Sequence, residues 1–468
     1  MRWLSVVIVL GFSAACTSAT QDLSDTDESG VTVAPATTSV GPTTITVAPT
    51  TTAAVSTTVV VSGQTTTTAP SSAGDQAEES EPVVSYMPPT ELGEDTSLCE
   101  LKDLVRGARD PVRVGFPRPT ENVSPKGTTK YALVPIDFPD AIGEPSEIAA
   151  AAQDAETVVD YYREVSDGRF EVEWVLSDVF TRVSKASVDY DPTAGNPGGS
   201  KNPFGAVLSQ EIIDLVDPHL DFTGVAAVFF VIPEATPDDA AINSGGWGHF
   251  MLEGAFSTDE GTVMFAHGAP STKATRLNHA WLLAHEIGHT LGPLDLYISP
   301  ATGDELASLP MGQWGVMSSY HGAPKSMTAW NRWLIGWLEP ESIYCRTAAS
   351  IASVEFTLRP LVLTGVGYRA AIIRINDHRA VVVESRRGLG VDHRLGDHAG
   401  ILVYTVDTSV GQHQGPLRVQ IPEDRSLERT YGQGWPDALL RVGDSVAVAG
   451  LTIELIQSGE YDRVRISQ

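Results

Sequence analysis

His285-Glu286-Ile287-Gly288-His289-Thr290-Leu291-Gly292-Pro293-Leu294-Asp295 carries the order His-Glu-x-x-His inside an apolar stretch. The surrounding pattern predicts a helix over about Thr275 to Leu291. Residues four apart on a helix lie one turn above each other, so His285 and His289 can aim at one ion about 2 Å from each nitrogen. Glu286 leaves the helix beside His285 and can reach a water on that ion without binding it, as a general base must. Five such residues recur in ordinary helices, and the extension narrows the reading. Gly292 can end the helix in a left-handed turn, and Pro293 prevents its continuation. Asp295 then falls where a reversed chain can return a third ligand; the alternative is that it orients one of the histidines.

Trp314-Gly315-Val316-Met317-Ser318-Ser319-Tyr320 is a glycine-containing turn around a methionine. Tyr320 is a candidate to donate a hydrogen bond to a tetrahedral oxyanion, and His321 competes for that role. His249, His267 and His279 precede the helix and read as structural or substrate-adjacent residues. Asp392, His393, Asp397 and His398 form a polar cluster, read either as a structural calcium or second metal site or as a solvated loop.

Outward from the helix, Tyr131 to Phe138 and Val225 to Ile232 are apolar runs expected as buried strands. Ala149 to Val165 and Phe204 to Val216 are expected helices. Arg169 to Val183 alternates as a strand pair would, Gly245 to Phe250 reads as loop, and Thr262 to Ala266 as a short strand. A last helix is expected over about Ser326 to Gly336. Beyond Pro340, strand-like runs separated by Gly443-Asp444 and Ser458-Gly459 turns predict an all-β, sandwich-like part. The expected organisation is an α/β catalytic domain at 97–342, with the core strands starting near residue 120, and a β-rich domain at 343–468.

The first fifteen residues read as an export signal: Arg2, an apolar run from Trp3 to Phe12, then small residues. Ser13-Ala14-Ala15 before Cys16 is similar to a bacterial lipobox, in which the cysteine is acylated; Ser13 stands where that pattern usually has Leu. A plain signal peptide is the alternative. Residues 16–96 are expected as a disordered Thr/Ser/Pro-rich stalk, too poor in bulky apolar groups to offset ordering entropy. Cys99 and Cys345 remain: in an exported chain they are expected to pair, the alternative being a Cys99 thiolate that caps a zinc ion. The formal net charge of -28 over 468 residues argues against nucleic acid as a partner, which would need a basic face. About a dozen of the acidic residues precede Leu101, so part of this charge is a solvated tail.

The run His285 to Tyr297 resembles the immune inhibitor A family of secreted bacterial zinc metalloproteases. Asp137-Phe138-Pro139-Asp140, Tyr161 to Gly168, Ala329-Trp330 with Leu334 to Trp337, Val383 to Arg386 and Gly400 to Tyr404 carry the likeness further, in the family's order. The resemblance implies a metzincin-like catalytic domain, a Met-turn at Met317 and endopeptidase activity on protein or peptide substrates. The family's long pro-region is reduced here to the stretch before Lys126. Two other readings stand beside it: a surface binding or adhesive protein on a peptidase fold, and a zinc amidase acting on a non-protein substrate. Retention of Glu286 and both histidines speaks against the first.

If Cys16 is the acylated mature N-terminus, membrane attachment runs through it. Detergent phase partitioning is expected to place the mature protein in the detergent phase and a Cys16→Ser variant in the aqueous phase or unprocessed.

Overall fold

The computed structural model describes residues 13–14, 84–107, 110–190, 203–243, 247–250, 256–269, 279–299, 310–321, 325–425 and 437–468. Cys16, nearly all of the segment read as an export signal and the expected stalk to residue 83 lie outside them. Among the described residues no helix is long and apolar enough to cross a membrane.

The first sheet is built around β2 (Gly127–Asp137), with Ser13–Ala14 as the two-residue β1 at its far edge. β2 pairs in parallel with β3 (Phe170–Leu176), β4 (Thr181–Arg182) and β5 (Val225–Val231). The order is β1-β6-β9-β5-β2-β3, where β6 is Trp247–Phe250 and β9 is Phe265–Ala269. A small hairpin of β7 (Phe256–Thr258) and β8 (Gly261–Val263) precedes β9. β6 runs antiparallel to β9, and β1 antiparallel to β6.

Tyr131 and Leu133 of β2, with Ala227, Phe229 and Val231 of β5, enter one apolar cluster. Ala132, Val134 and Ile136, with Val228 and Phe230, enter another on the opposite face. Covered on both faces, such strands need unbroken apolar runs rather than alternation. The first face is covered by α1 (Pro145–Val165), which buries Ala151, Ala155, Val158, Tyr161, Tyr162 and Val165 at helical spacing. Glu147 accepts from the Glu144 N–H at 2.7 Å at its start. α2 (Pro203–Val216) covers the second face through Leu208, Ile212, Ile213 and Val216. α3 (His279–Leu291), the helix with both histidines, lies on the same side as α1 with almost every residue buried. Residues 271–278, where this helix was expected to begin, lie outside the described residues.

Four local expectations are corrected. Arg169 to Val183 is no hairpin: β3 and β4 each pair with β2 in parallel, because α1 between β2 and β3 returns the chain to its starting end. Gly245 to Phe250 is not all loop: β6 is recruited by backbone pairing, from Trp247 opposite Gly268 to Phe250 opposite Phe265. Thr262 to Ala266 divides at Met264 into β8 and β9. α4 (Ala329–Ile335) is shorter than expected, capped by the Thr328 hydroxyl on the Asn331 N–H at 3.2 Å and ended by Gly336 at φ 93°.

Beyond residue 342 the chain forms two sheets. The first is β10 (Ile343–Thr347), β12 (Ala370–Arg374), β13 (Arg379–Arg386), β14 (Gly400–Asp407) and β15 (Leu417–Gln420), in that order. The second contains β11 (Ser353–Leu358), β18 (Asp462–Ser467), β17 (Leu451–Ser458) and β16 (Ser445–Val448), in that order. Ile373, Val381, Val383, Ile401 and Val403 face the second sheet. Ile372, Val382, Leu402 and Tyr404 on the reverse face join the cluster that contains Ile287 and Trp330. The β-rich part is therefore continuous in packing with the α3 layer. Residues 84–96, expected in the stalk, are bound to the β-rich part instead: Thr90 N–H donates to Glu355 O at 2.8 Å and Thr357 N–H to Met87 O at 3.2 Å on β11, and Glu94 N–H to Cys345 O at 2.8 Å on β10.

Cys99 and Cys345 are joined by a disulfide across 246 residues, which leaves no Cys99 thiolate to cap a metal. It ties the N-terminal segment to β10. In the chain-entropy model a loop of that length is worth about 5 kcal/mol, often less in practice. A Cys99→Ser/Cys345→Ser variant is expected to lose about 2–5 kcal/mol in urea unfolding, and intact wild-type protein to yield a linked peptide in non-reducing mapping.

Candidate metal centre

Helix α3 is fixed on three sides. Tyr162 of α1 donates its hydroxyl proton to Ala284 O at 2.5 Å, and Tyr131 of β2 meets Thr290 Oγ1 at 2.9 Å. His279 Nδ1 lies 2.8 Å from Asp154 Oδ2, which makes this histidine a pin between α1 and α3. On the remaining side Met317 packs directly beneath the helix. A Cβ at Gly288 would stand 2.5 Å from Met317 Sδ, so the glycine between the two histidines is what lets the turn approach. Met317 O also accepts from the Leu296 N–H at 3.0 Å, holding the segment after the helix against the same turn.

The helix ends where the sequence says it should. Gly292 has φ 118°, a conformation other residues rarely adopt, and the chain reverses to bring Asp295 back beneath the imidazoles. Asp295 Oδ1 lies 3.0 Å from His285 Nε2 and 3.2 Å from His289 Nε2, and all three side chains are buried. The other ring nitrogens are engaged by carbonyls: His285 Nδ1 with Val316 O at 2.8 Å, His289 Nδ1 with Pro293 O at 3.0 Å. A proton held at each Nδ1 leaves the Nε2 lone pairs facing inward. Three ligands at about 2.1 Å from a tetrahedral ion stand about 3.4 Å apart, so the observed spacing fits a metal with little movement.

Ligand atoms of His285, Glu286 and His289 lie within 4.8 Å of one another, the group among the described residues that can hold a metal ion. Asp295 is not in that trio, yet its Oδ1 stands 3.0 Å and 3.2 Å from the two Nε2 atoms, and those direct distances make it the candidate third donor. Burial pushes the Asp295 carboxyl up, but His289 first and then His285 and His413 hold it well below the usual carboxylate range. Burial likewise pushes His289 down, and Asp295 more than reverses this, to about 9. Asp295 and His289 thus stabilise each other's charged forms.

Glu286 points elsewhere. Its Oε1 lies 3.2 Å from Nε2 of His267, which is on β9 opposite Gly248 of β6. Burial raises the Glu286 carboxyl, but His267, then His285 and His289, bring it down to about 2. Tyr320 is buried against Leu282, its ring edge-on to His285 at 5.8 Å between centroids and 4.3 Å from His321. Burial, and then Lys325 and His285, push His321 below the ordinary imidazole range. Lys325 donates to Ser319 O at 2.9 Å and to His321 O at 2.6 Å, fixing the loop that carries both candidates. The side chain of His249 lies outside what is described.

The polar cluster at Asp392 does not converge on an ion. Asp392 turns inward to Arg386 at 2.8 Å and accepts from the Ser326 N–H at 3.0 Å, while His393, Asp397 and His398 stay exposed. There the carboxylate is neutralised by a buried guanidinium, and among the described residues these side chains form no group that could hold a metal ion.

Sequence reading missed Gln412 and His413. They sit in the β14–β15 connection, and both reach Asp295 Oδ2, at 2.5 Å and 2.9 Å. Gln412-His413-Gln414 has no spacing relation to His285, so no sequence signal marks it.

No family model matches the chain, and no curated protein matches it. Among solved structures the chain matches that of catalytically inactive OgpA from Akkermansia muciniphila in complex with an O-glycopeptide (glycodrosocin) substrate. The identity is 12%, the match covers 64% of this chain and 94% of that one, and the TM-score is 0.27. A likeness that distant carries no argument about chemistry.

Gly288→Ala is expected to cost about 1–3 kcal/mol, as overpacking does. Combining it with Met317→Ala should recover part of that loss in a double-mutant cycle followed by urea unfolding.

Proposed function

We propose that this chain is a zinc-dependent endopeptidase of metzincin-like type, with His285, His289 and Asp295 as metal ligands and Glu286 as general base. One observation carries the reading: two Nε2 atoms and one carboxylate oxygen converge within 3.0–3.2 Å in a buried site whose Nδ1 atoms are already bound by carbonyls. Two imidazoles and one carboxylate suit zinc and leave a fourth position for water.

A zinc ion in that site would supply Lewis acidity and an acidified water. The residues of the chain do the rest. Glu286, its Oε1 steadied by His267, takes a proton at its carboxylate and later hands it to the leaving amine. Carbonyl contacts at both Nδ1 atoms keep the imidazoles from rotating away. Tyr320 donates a hydrogen bond to the oxygen that gains charge at the attacked carbonyl, with His321 as the neighbour that can replace it. The substrate is an extended peptide added to β6, the antiparallel strand beside His267, where backbone hydrogen bonds would hold it in register. Cleavage before Cys16 would remove β1 and open that edge.

Metal analysis of purified protein should give about one zinc per chain, and a peptide library should be cleaved. Glu286→Gln is expected to lower cleavage by at least about 100-fold with zinc content unchanged, since it removes the base and no ligand. A Glu286→Gln protein that cleaves at the wild-type rate would sink the mechanism, whereas one that has lost its zinc would make Glu286 a ligand.

A further inference from the structure

Asp295 is shared between two parts of the chain, and each takes one oxygen. Oδ1 faces His285 and His289, whereas Oδ2 receives Gln412 Nε2 at 2.5 Å and His413 Nε2 at 2.9 Å. Gln412 is itself oriented: Arg106 donates to its Oε1 at 2.5 Å, which leaves the amide N–H₂ as the end that meets Asp295. His413 stacks on Tyr297 at 5.2 Å between centroids, and Tyr297 stacks in turn towards His285 at 6.3 Å. The backbone is committed as well. His413 has φ 62°, a left-handed conformation that costs about 1 kcal/mol and persists only where the surroundings impose it. Its carbonyl accepts from Ser299 at 3.1 Å, four residues after Asp295.

We infer that Gln412 and His413, backed by Arg106, are positioning residues for the metal: they hold Asp295 by Oδ2 so that Oδ1 alone is presented as the third ligand, and the β-rich part thereby completes the metal site. This rests on the metal assignment proposed above. The division of oxygens places His413 on the outer side of the carboxylate, away from the two Nε2 atoms. Its function is to fix a ligand, and the buried carboxylate would otherwise be free to rotate or to bind through both oxygens. Outer partners of metal ligands are commonly worth about 10–100-fold in metal affinity.

The test compares the full-length wild type with Gln412→Ala/His413→Ala and with His413→Gln, which keeps a donor near the position of Nε2. Zinc affinity is read by competition with a chelating dye, the fold by urea unfolding of metal-free protein, and the coordination by the visible spectrum after cobalt substitution. The double alanine variant is expected to bind zinc about 10–100-fold more weakly, with an unchanged unfolding midpoint and an unchanged cobalt spectrum. His413→Gln should recover most of the affinity. Equal affinity in the double variant would overturn the inference, and so would a cobalt spectrum that shows a lost ligand, because His413 would then bind the metal itself. A loss of affinity that tracks a lowered unfolding midpoint, and is not recovered by His413→Gln, would also count against it. A wild type that binds no metal would instead refute the metal assignment, so the two failures are distinguishable.

Discussion

The guanidinium of Arg386 is wholly buried where the β-rich part meets the helical layer, and it is surrounded by acceptors. It pairs with Glu384 at 2.6 Å and Asp392 at 2.8 Å, donates to Trp314 O at 3.1 Å and lies 5.7 Å from the centre of the Trp314 ring. Glu384 passes the charge on: its Oε2 accepts from the Ala329 N–H at 2.6 Å, at the start of α4, and from Tyr404 at 3.0 Å. Burial disfavours the charged guanidinium, but the two carboxylates hold it in its charged form. Replacing one member of such a network strands the others without water, at a cost of about 3–5 kcal/mol. Because Trp314 begins the turn that ends at Tyr320, this contact also fixes the height of Met317 beneath Gly288 and the place of Val316 O on His285.

A second buried guanidinium extends the same logic. Arg332 of α4 donates to Val165 O at the end of α1 and to Leu361 O in the β-rich part, at 2.6 Å and 2.7 Å. Burial, and then Arg369, lower its pKa to about 9. Two helices and two sheets thus meet at polar anchors inside an otherwise apolar cluster. Apolar surfaces alone tolerate sliding, whereas carbonyl and carboxylate acceptors at fixed positions do not. This rigidity is what a metal site needs, since ligand atoms must stay within a few tenths of an ångström of their places.

Much of the centre was legible because its geometry is local. Four residues on a helix fix the separation of His285 and His289, and Gly292 with Pro293 fixes the reversal that returns Asp295. The apolar runs of β2 and β5 were legible for the same reason, as each is set by its own side chains. β6 was not, since a strand of four residues is created by its partner β9 rather than by its own pattern. Nor was the parallel pairing of β3 and β4, which alternation cannot distinguish from a hairpin. Residues 84–96 looked like the end of a low-complexity stalk, yet backbone bonds tie Met87 and Thr90 to β11 and Glu94 to β10.

The sequence by itself determined the helix with its two histidines, Glu286 beside them and the glycine-proline stop that returns Asp295 towards them. Each of these depends on backbone geometry over at most a dozen residues. Only the tertiary structure decided what surrounds the ligands: His267 on Glu286, Gln412 and His413 on Asp295, Asp392 on Arg386 rather than on an ion, and Cys99 on Cys345. These contacts join residues separated by 6 to 246 positions, and the three longest-range, over 117, 118 and 246 positions, each take one partner from beyond residue 342. Loop closure over such distances leaves no periodic trace in the chain, so a polar residue that will complete a site looks the same as one that will face water.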